Sequence, residues 1–257
     1  MKQEINTAAI VSSSTENNIT EITFFHPQSN SLPGRILNEL AEEIKKAGSQ
    51  SNSTVIILKS GGNKSFCAGA SFDELLQIKD EKTGLEFFSG FAKVINAMRT
   101  CPKFIVARIQ GKCVGGGVGL ASAADYAIAL NTADVKLSEL AVGIGPFVVG
   151  PAVERKIGLG AFSALSIDAT NWRSAQWAYE KGLFAEIHET IESVDAAVLK
   201  IAQTLSLSNP EAMADLKKVC WTGTENWDSL LMERAAISGK LILSDFSRKA
   251  IEKFKTK

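Results

Sequence analysis

The sequence predicts an α/β fold of repeated strand–loop–helix units, closed by an all-helical C-terminal segment. Three observations carry that prediction. Short apolar runs such as Val55-Ile56-Ile57-Leu58 and Phe104-Ile105-Val106-Ala107 alternate with amphipathic helical stretches, the wiring of a parallel sheet covered by helices on both faces. Glycine-rich turns join strands to helices. Beyond about residue 190 every pattern is helical, which divides the chain into a core, 1–190, and a helical subdomain, 191–257.

The elements follow in order. Residues 8–13 and 19–25 read as strands around a polar turn, 14–18; Ile19, Glu21 and Thr23 alternate with Thr20, Ile22 and Phe24. His26 stands beside Pro27 and reads as a loop or packing residue rather than a catalyst. Ile36, Leu37, Leu40, Ile44 and Ala47 recur at helical spacing. A polar link then leads to the strand 55–58. Ser71-Phe72-Asp73-Glu74 has the form of a capping box opening a helix that runs to Ile78, so Ala68-Gly69-Ala70 abuts a helix start. A second helix over 83–98 turns Phe87, Phe88, Phe91, Val94, Ile95 and Met98 inward.

The strand 104–109 runs into Gly-Lys-Cys-Val-Gly-Gly-Gly-Val-Gly-Leu, residues 111–120, and then into a small-residue helix. Glycine admits unusual φ angles and close approach of other groups. A helix start leaves amides free to meet developing negative charge. An oxyanion cradle and a tight turn with close helix packing are both open readings of such a run on its own.

Residues 126–130 and 135–137 are two further strands, and 143–151 is a loop. Pro151 opens a helix that Gly158 stops. Helices over 161–170 and 174–181 precede a last strand, 184–188, in which His188 is a strand residue. Helical patterns over 193–206, 209–219, 226–243 and 245–257 complete the chain. Arg248, Lys249, Lys253, Lys255 and Lys257 make the tail basic, as a solvated helix face or as a contact for phosphate.

Composition narrows the function classes. The chain is 45% hydrophobic and 22% charged, with zero net charge, which argues against a basic nucleic-acid-binding or membrane-surface face. The N-terminus is polar without an apolar signal core, and no apolar run reaches membrane-spanning length. Four scattered cysteines without C-x-x-C spacing point to reduced thiols and a cytoplasmic location. With two histidines, a His-rich zinc site and a Ser-His-Asp triad are poorly supported, and no metal site is expected.

Three segments, in order and spacing, resemble those of the enoyl-CoA hydratase/isomerase (crotonase) superfamily. Lys64-Ser-Phe-Cys-Ala-Gly-Ala-Ser71 is similar to its K-x-F-x-A-G-A-D segment. Gly111-Lys-Cys-Val-Gly-Gly-Gly-Val-Gly-Leu-Ala-Ser-Ala-Ala-Asp125 is similar to its G-x-A-x-G-G-G-x-x-L-x-x-x-C-D segment. Lys136-Leu-Ser-Glu-Leu-Ala-Val-Gly143 is similar to its F-x-x-P-E-x-x-x-G segment. The match spans roughly residues 15–257.

The resemblance implies a crotonase-like spiral of ββα units with a helical C-terminal trimerisation subdomain, assembled as a homotrimer or a dimer of trimers. It implies an acyl-CoA substrate, no separate cofactor since coenzyme A is part of the substrate, and no nucleic-acid or membrane partner. Carried over residue by residue, the amides of Ala70 and Gly116 form the oxyanion hole. Such amides are worth about 3–4 kcal/mol each against an enolate. Glu139 is the acid/base. Ala68, Phe66, Gly69, Gly115 and Phe147 contact the substrate, with the backbone of Ala68 against the CoA adenine.

One departure bears on the reaction. Well-known hydratases of the family carry a second glutamate at the position of Gly119. A single carboxyl suffices to move a proton along an allylic enolate, while adding water also needs a group that directs the water. The resemblance implies reversible hydration of a short or branched 2-enoyl-CoA. The alternatives are a 3-enoyl-CoA to 2-enoyl-CoA isomerase and a non-catalytic acyl-CoA-binding oligomer. Gly119, Ser138-Glu139 and Pro146-Phe147-Val148-Val149 further resemble a bacterial subgroup of methylglutaconyl-CoA hydratases that also lacks the glutamate at the position of Gly119.

Overall fold

A computed structural model of the chain describes residues 9–255. Ala8 and Lys257, which belong to the first expected strand and to the basic tail, lie outside the described residues. Two parallel-stranded layers organise the core. Strands β1 (Ile10–Glu16), β2 (Ile19–Phe25), β3 (Val55–Ser60), β5 (Phe104–Ile109), β7 (Tyr126–Leu130) and β9 (Glu186–His188) form a six-stranded sheet in the order β1-β2-β3-β5-β7-β9. β1 pairs antiparallel with β2 and every other pairing in this sheet is parallel. Strands β4 (Ser65–Cys67), β6 (Lys112–Val114) and β8 (Val135–Lys136) form a second, three-stranded parallel sheet. From β3 onward consecutive strands therefore alternate between the sheets, and each β-β pair is followed by a helix. That repeat is the predicted ββα spiral.

The apolar strands have no period-2 pattern because both faces are covered. Ile56, Leu58, Ile105, Ala107 and Ile109 enter the main core, under α1 (Gly34–Ser49), α3 (Glu81–Thr100), α4 (Gly116–Ala123) and α5 (Gly150–Ile167). Their neighbours Val55, Ile57 and Val106, with Ile128, face the other way and pack on Val194, Val198 and Ala202 of α7 (Ile191–Ser206). Of the remaining helices, α9 (Trp227–Leu241) lies against α3, where a Cβ on Gly84 would sit 2.6 Å from the Gly239 carbonyl. α8 (Pro210–Cys220) is anchored by Asp125. That carboxylate accepts from the Ile105 amide, Lys217 Nζ and Trp221 Nε1, each at 2.8 Å, so the last residue of the second motif serves the fold. α10 (Asp245–Lys255) seats Ser247 against Gly143, and α6 (Ala175–Glu180) is capped by Ser174.

Several sequence expectations are corrected. The first turn is only Asn17-Asn18, both at positive φ (51° and 62°), the geometry of a two-residue hairpin that asparagine tolerates. β1 therefore extends to Glu16. The helix after the first glycine turn, α2, is only Phe72–Leu75 rather than reaching Ile78. Ser71 caps it as expected. The Glu74 carboxylate, however, does not close the box but accepts from the Gly34 amide at 2.7 Å, capping α1. The expected stop at Gly158 is present: its backbone (φ 77°, ψ 156°) is non-helical, and α5 is two helices joined across that kink. β4 and β6 were read as loop and turn because three residues are too short to show a period.

Candidate active site

The pairing of β4 with β6 sets Ser65 opposite Lys112 and Cys67 opposite Cys113, so the two glycine turns that follow leave the small sheet side by side. The first turn is Ala68-Gly69-Ala70 and the second is Val114-Gly115. Gly69 has φ +86°, and a Cβ there would lie 2.9 Å from the Val114 carbonyl and 3.5 Å from the Gly116 nitrogen. Only glycine permits both that angle and that approach. A Cβ on Gly116 would run into the Phe91 ring, and one on Gly117 into the Cys67 carbonyl. The glycine run is thus explained by contact with Phe91 and with the strand beside it.

Two amides emerge from these turns. Gly116 is the first residue of α4, so its N–H has no acceptor within the helix. In the bridge between Leu32 and Ala70, the bonds are Leu32 N–H to the Gly69 carbonyl (2.7 Å) and Ser71 N–H to the Leu32 carbonyl (3.3 Å). The Ala70 amide takes no part in that bridge. Both residues line one cleft.

Glu139 follows β8 and starts the 3-10 turn Leu140–Val142. Its segment is tied to the glycine turn by Gly115 N–H to the Lys136 carbonyl, 2.8 Å. The carboxylate packs directly on Gly115, where a Cβ would stand 2.9 Å from Oε1. Glu139 is partly exposed as a residue, yet its Oε2 is sealed from solvent and, among the described residues, has no hydrogen-bond partner. Burial pushes its carboxyl from the ordinary 4.5 up to about 7, with a small opposing effect from its own backbone amide.

The other walls are apolar. Phe72, Leu75, Phe88, Phe91, Val142, Ile144 and Phe147–Val149 line the cleft, with Ser138 and, from α9, Ser238. Among the described residues that line it, Glu139 is the sole titratable side chain. Of the residues expected to contact the substrate, Ala68, Gly69, Gly115 and Phe147 are on this surface. Phe66 is not. Its ring is fully buried in the core, edge-on to Phe24 with centroids 5.5 Å apart. His26 bonds within its own loop, and His188 pairs with Glu186 at the sheet edge. The contribution of Phe88 and Phe91 was missed because helical spacing marks an inward face without distinguishing core from cleft wall.

The missing second glutamate has a structural counterpart. A Cβ on Gly119 would meet Val149 Cγ1 at 2.5 Å and Val149 Cβ at 2.8 Å. The space beside position 119 is occupied by an apolar side chain that cannot ionise. Gly119→Ala is therefore expected to destabilise the fold by about 1–3 kcal/mol through overpacking. Pairing it with Val149→Ala is expected to recover most of that loss, measured by urea denaturation of the three variants.

The sequence profile of the enoyl-CoA hydratase/isomerase family matches residues 14–256. YngF of Bacillus subtilis (strain 168), described as an enoyl-CoA hydratase/isomerase, is 31% identical over 207 residues, covering 79% of this chain and 78% of its own. The mitochondrial methylglutaconyl-CoA hydratase of Rattus norvegicus is 30% identical over 200 residues, covering 76% of this chain and 63% of its own. The crystal structure of an enoyl-CoA hydratase from Bacillus halodurans superposes with a TM-score of 0.87 at 24% identity, covering 95% of this chain and 99% of that one.

Proposed function

The chain belongs to the enoyl-CoA hydratase/isomerase family, and we propose that it reversibly hydrates a short or branched 2-enoyl-CoA. One observation carries the reading. A buried carboxyl poised at about 7 shares an apolar cleft with two amides at neighbouring turns. The thioester oxygen accepts from the Ala70 and Gly116 amides. Ionised Glu139 takes a proton from water as the water oxygen bonds to the β-carbon. The alkene's π electrons move toward the carbonyl, and the resulting enolate charge rests on the oxygen between the two amides. Glu139, now protonated, returns the proton to the α-carbon. A group with a pKa near the working pH serves both steps.

A second opening shares Ala68, Ala70 and Phe72 with the cleft and extends past Gln28, Ser31 and Asp73. In this reading it takes the adenine end of CoA. Arg248 and Lys249, exposed on α10, meet its phosphates. The C-terminal helices assemble the chain as a trimer or a dimer of trimers, in keeping with exposed Leu207, Leu216 and Val219. A cytoplasmic setting rests on the four scattered cysteines.

One observation favours a second reading, a 3-enoyl-CoA to 2-enoyl-CoA isomerase: Glu139 is the sole titratable group on the cleft. The test is absorbance of the conjugated thioester. Loss of absorbance from a 2-enoyl-CoA supports hydration, and a gain from a 3-enoyl-CoA supports isomerisation. Binding without turnover across an acyl-CoA series would leave only an acyl-CoA-binding oligomer.

The pH profile follows from the raised carboxyl. Both directions of hydration begin with ionised Glu139 removing a proton, so kcat/KM is expected to rise with pH as a single-proton limb centred near 7. A flat profile between pH 5.5 and 8.5 would contradict this.

A further inference from the structure

We propose that Cys67 is a positioning residue for the oxyanion hole, its buried thiol holding the Ala68-Gly69-Ala70 turn in the one arrangement that aims the Ala70 amide into the cleft. The inference rests on the hydratase/isomerase reading of that cleft. Its own ground is the hydrogen bond from the Gly69 amide to Cys67 Sγ, 3.3 Å, between two buried residues. Sulfur is a weak acceptor, but burial shields the bond from competition by solvent.

The consequence lies in the next peptide. The bond to Sγ fixes the plane of the peptide that carries the Gly69 N–H. The following plane, which carries the Ala70 N–H, is held through its carbonyl by the Leu32 amide (2.7 Å), so Gly69 joins two hydrogen-bonded planes. Gly69 stands at φ +86°, the left-handed region that only glycine enters freely, and glycine is also the residue least able to hold a single conformation. The thiol on one side and the Leu32 amide on the other together remove the freedom that the glycine brings, and without the thiol only one of the two planes stays anchored. The same residue also touches the other half of the hole: the Cys67 carbonyl is the group that a Cβ on Gly117 would strike, one residue beyond the Gly116 amide. Cys67 thus holds the first turn through its thiol and lies, through its carbonyl, beside the start of α4 that carries the Gly116 amide. Burial keeps the thiol protonated, with its pKa pushed up to about 12, so it acts through geometry and not as a nucleophile.

Cys67→Ala removes the acceptor; Cys67→Ser keeps one; Cys67→Val fills the volume without one. Each is measured for kcat and KM on a 2-enoyl-CoA. Each is also measured for the shift to longer wavelength that a chromophoric aromatic enoyl-CoA undergoes when its carbonyl is polarised on binding. The expected result is a 10- to 100-fold lower kcat for the Ala and Val variants, with KM within about threefold and a diminished spectral shift. The Ser variant is expected to recover at least half of both. A merely structural role would lower the melting temperature without changing the spectral shift of folded protein. Folded Ala or Val variants with the wild-type kcat and shift would overturn the proposal, as would a Ser variant no better than Ala. Should the Ala variant not fold, the Val and Ser pair decides. If wild-type protein turns over no enoyl-CoA, the hydratase/isomerase reading itself falls; if wild-type turns over and the variants match it, only the role of Cys67 falls.

Discussion

Replacing Glu139 with glutamine is expected to lower kcat on a 2-enoyl-CoA by about 10²–10⁴-fold while leaving acyl-CoA affinity within a few-fold. Glutamine keeps the shape of the side chain against Gly115 but can neither take nor return a proton. No neighbour substitutes, because the remaining lining side chains are apolar apart from Ser138 and Ser238, and the Ser238 hydroxyl donates to the Arg234 carbonyl. The variant should also lose the limb near pH 7. Stability carries a separate sign. A carboxyl whose folded pKa is raised from 4.5 to about 7 favours the folded state fully below 4.5 and loses that contribution as pH rises through this interval. Wild-type melting temperature should therefore fall relative to Glu139→Gln between pH 5 and 8. Full activity of the glutamine variant in both absorbance assays would remove Glu139 from the mechanism.

Gly115→Ala is expected to be nearly as damaging, by a different route. Gly115 has φ +51° and ψ −113°, a conformation costly to any residue with a side chain, by about 1–3 kcal/mol. Its new Cβ would stand 2.9 Å from Glu139 Oε1 and displace the carboxylate. Misplacement by about 1 Å can cost 10²-fold in rate. Activity should drop at least that far, and the melting temperature should fall as well. In the Glu139→Gln background the same change should cost little further activity, since the two act through one group. Retention of activity within threefold, or full additivity of the two losses, would mean that Gly115 does not position Glu139.

Much of the fold was legible because its signals are local and repeated. Apolar strands of buried length and amphipathic helices marked the large sheet and its cover, and Pro151 and Ser174 marked helix starts that the structure retains. Of the small sheet only β8 was legible, as the strand expected over 135–137; β4 and β6 are three residues each and exist only through pairing with their neighbours. That sheet is what brings the two glycine turns together, so the site's geometry was hidden although its motifs were in view. Phe66 shows the limit of carrying roles by motif: it shares a segment with Ala68 and Ala70, yet strand alternation turns its ring into the core. Gly119 shows the reverse. The sequence reveals a lost carboxylate, and only the packing of Val149 shows that the space has been filled.

The most direct measurement is a crystal structure with an unreactive acyl-CoA analogue bound. The thioester oxygen is expected 2.7–3.1 Å from both the Ala70 and Gly116 nitrogens, about the range for such donors. The Glu139 carboxylate should then face the α- and β-carbons. A carbonyl held by other groups, or an acyl chain outside the cleft lined by Phe88, Phe91 and Phe147, would contradict the account.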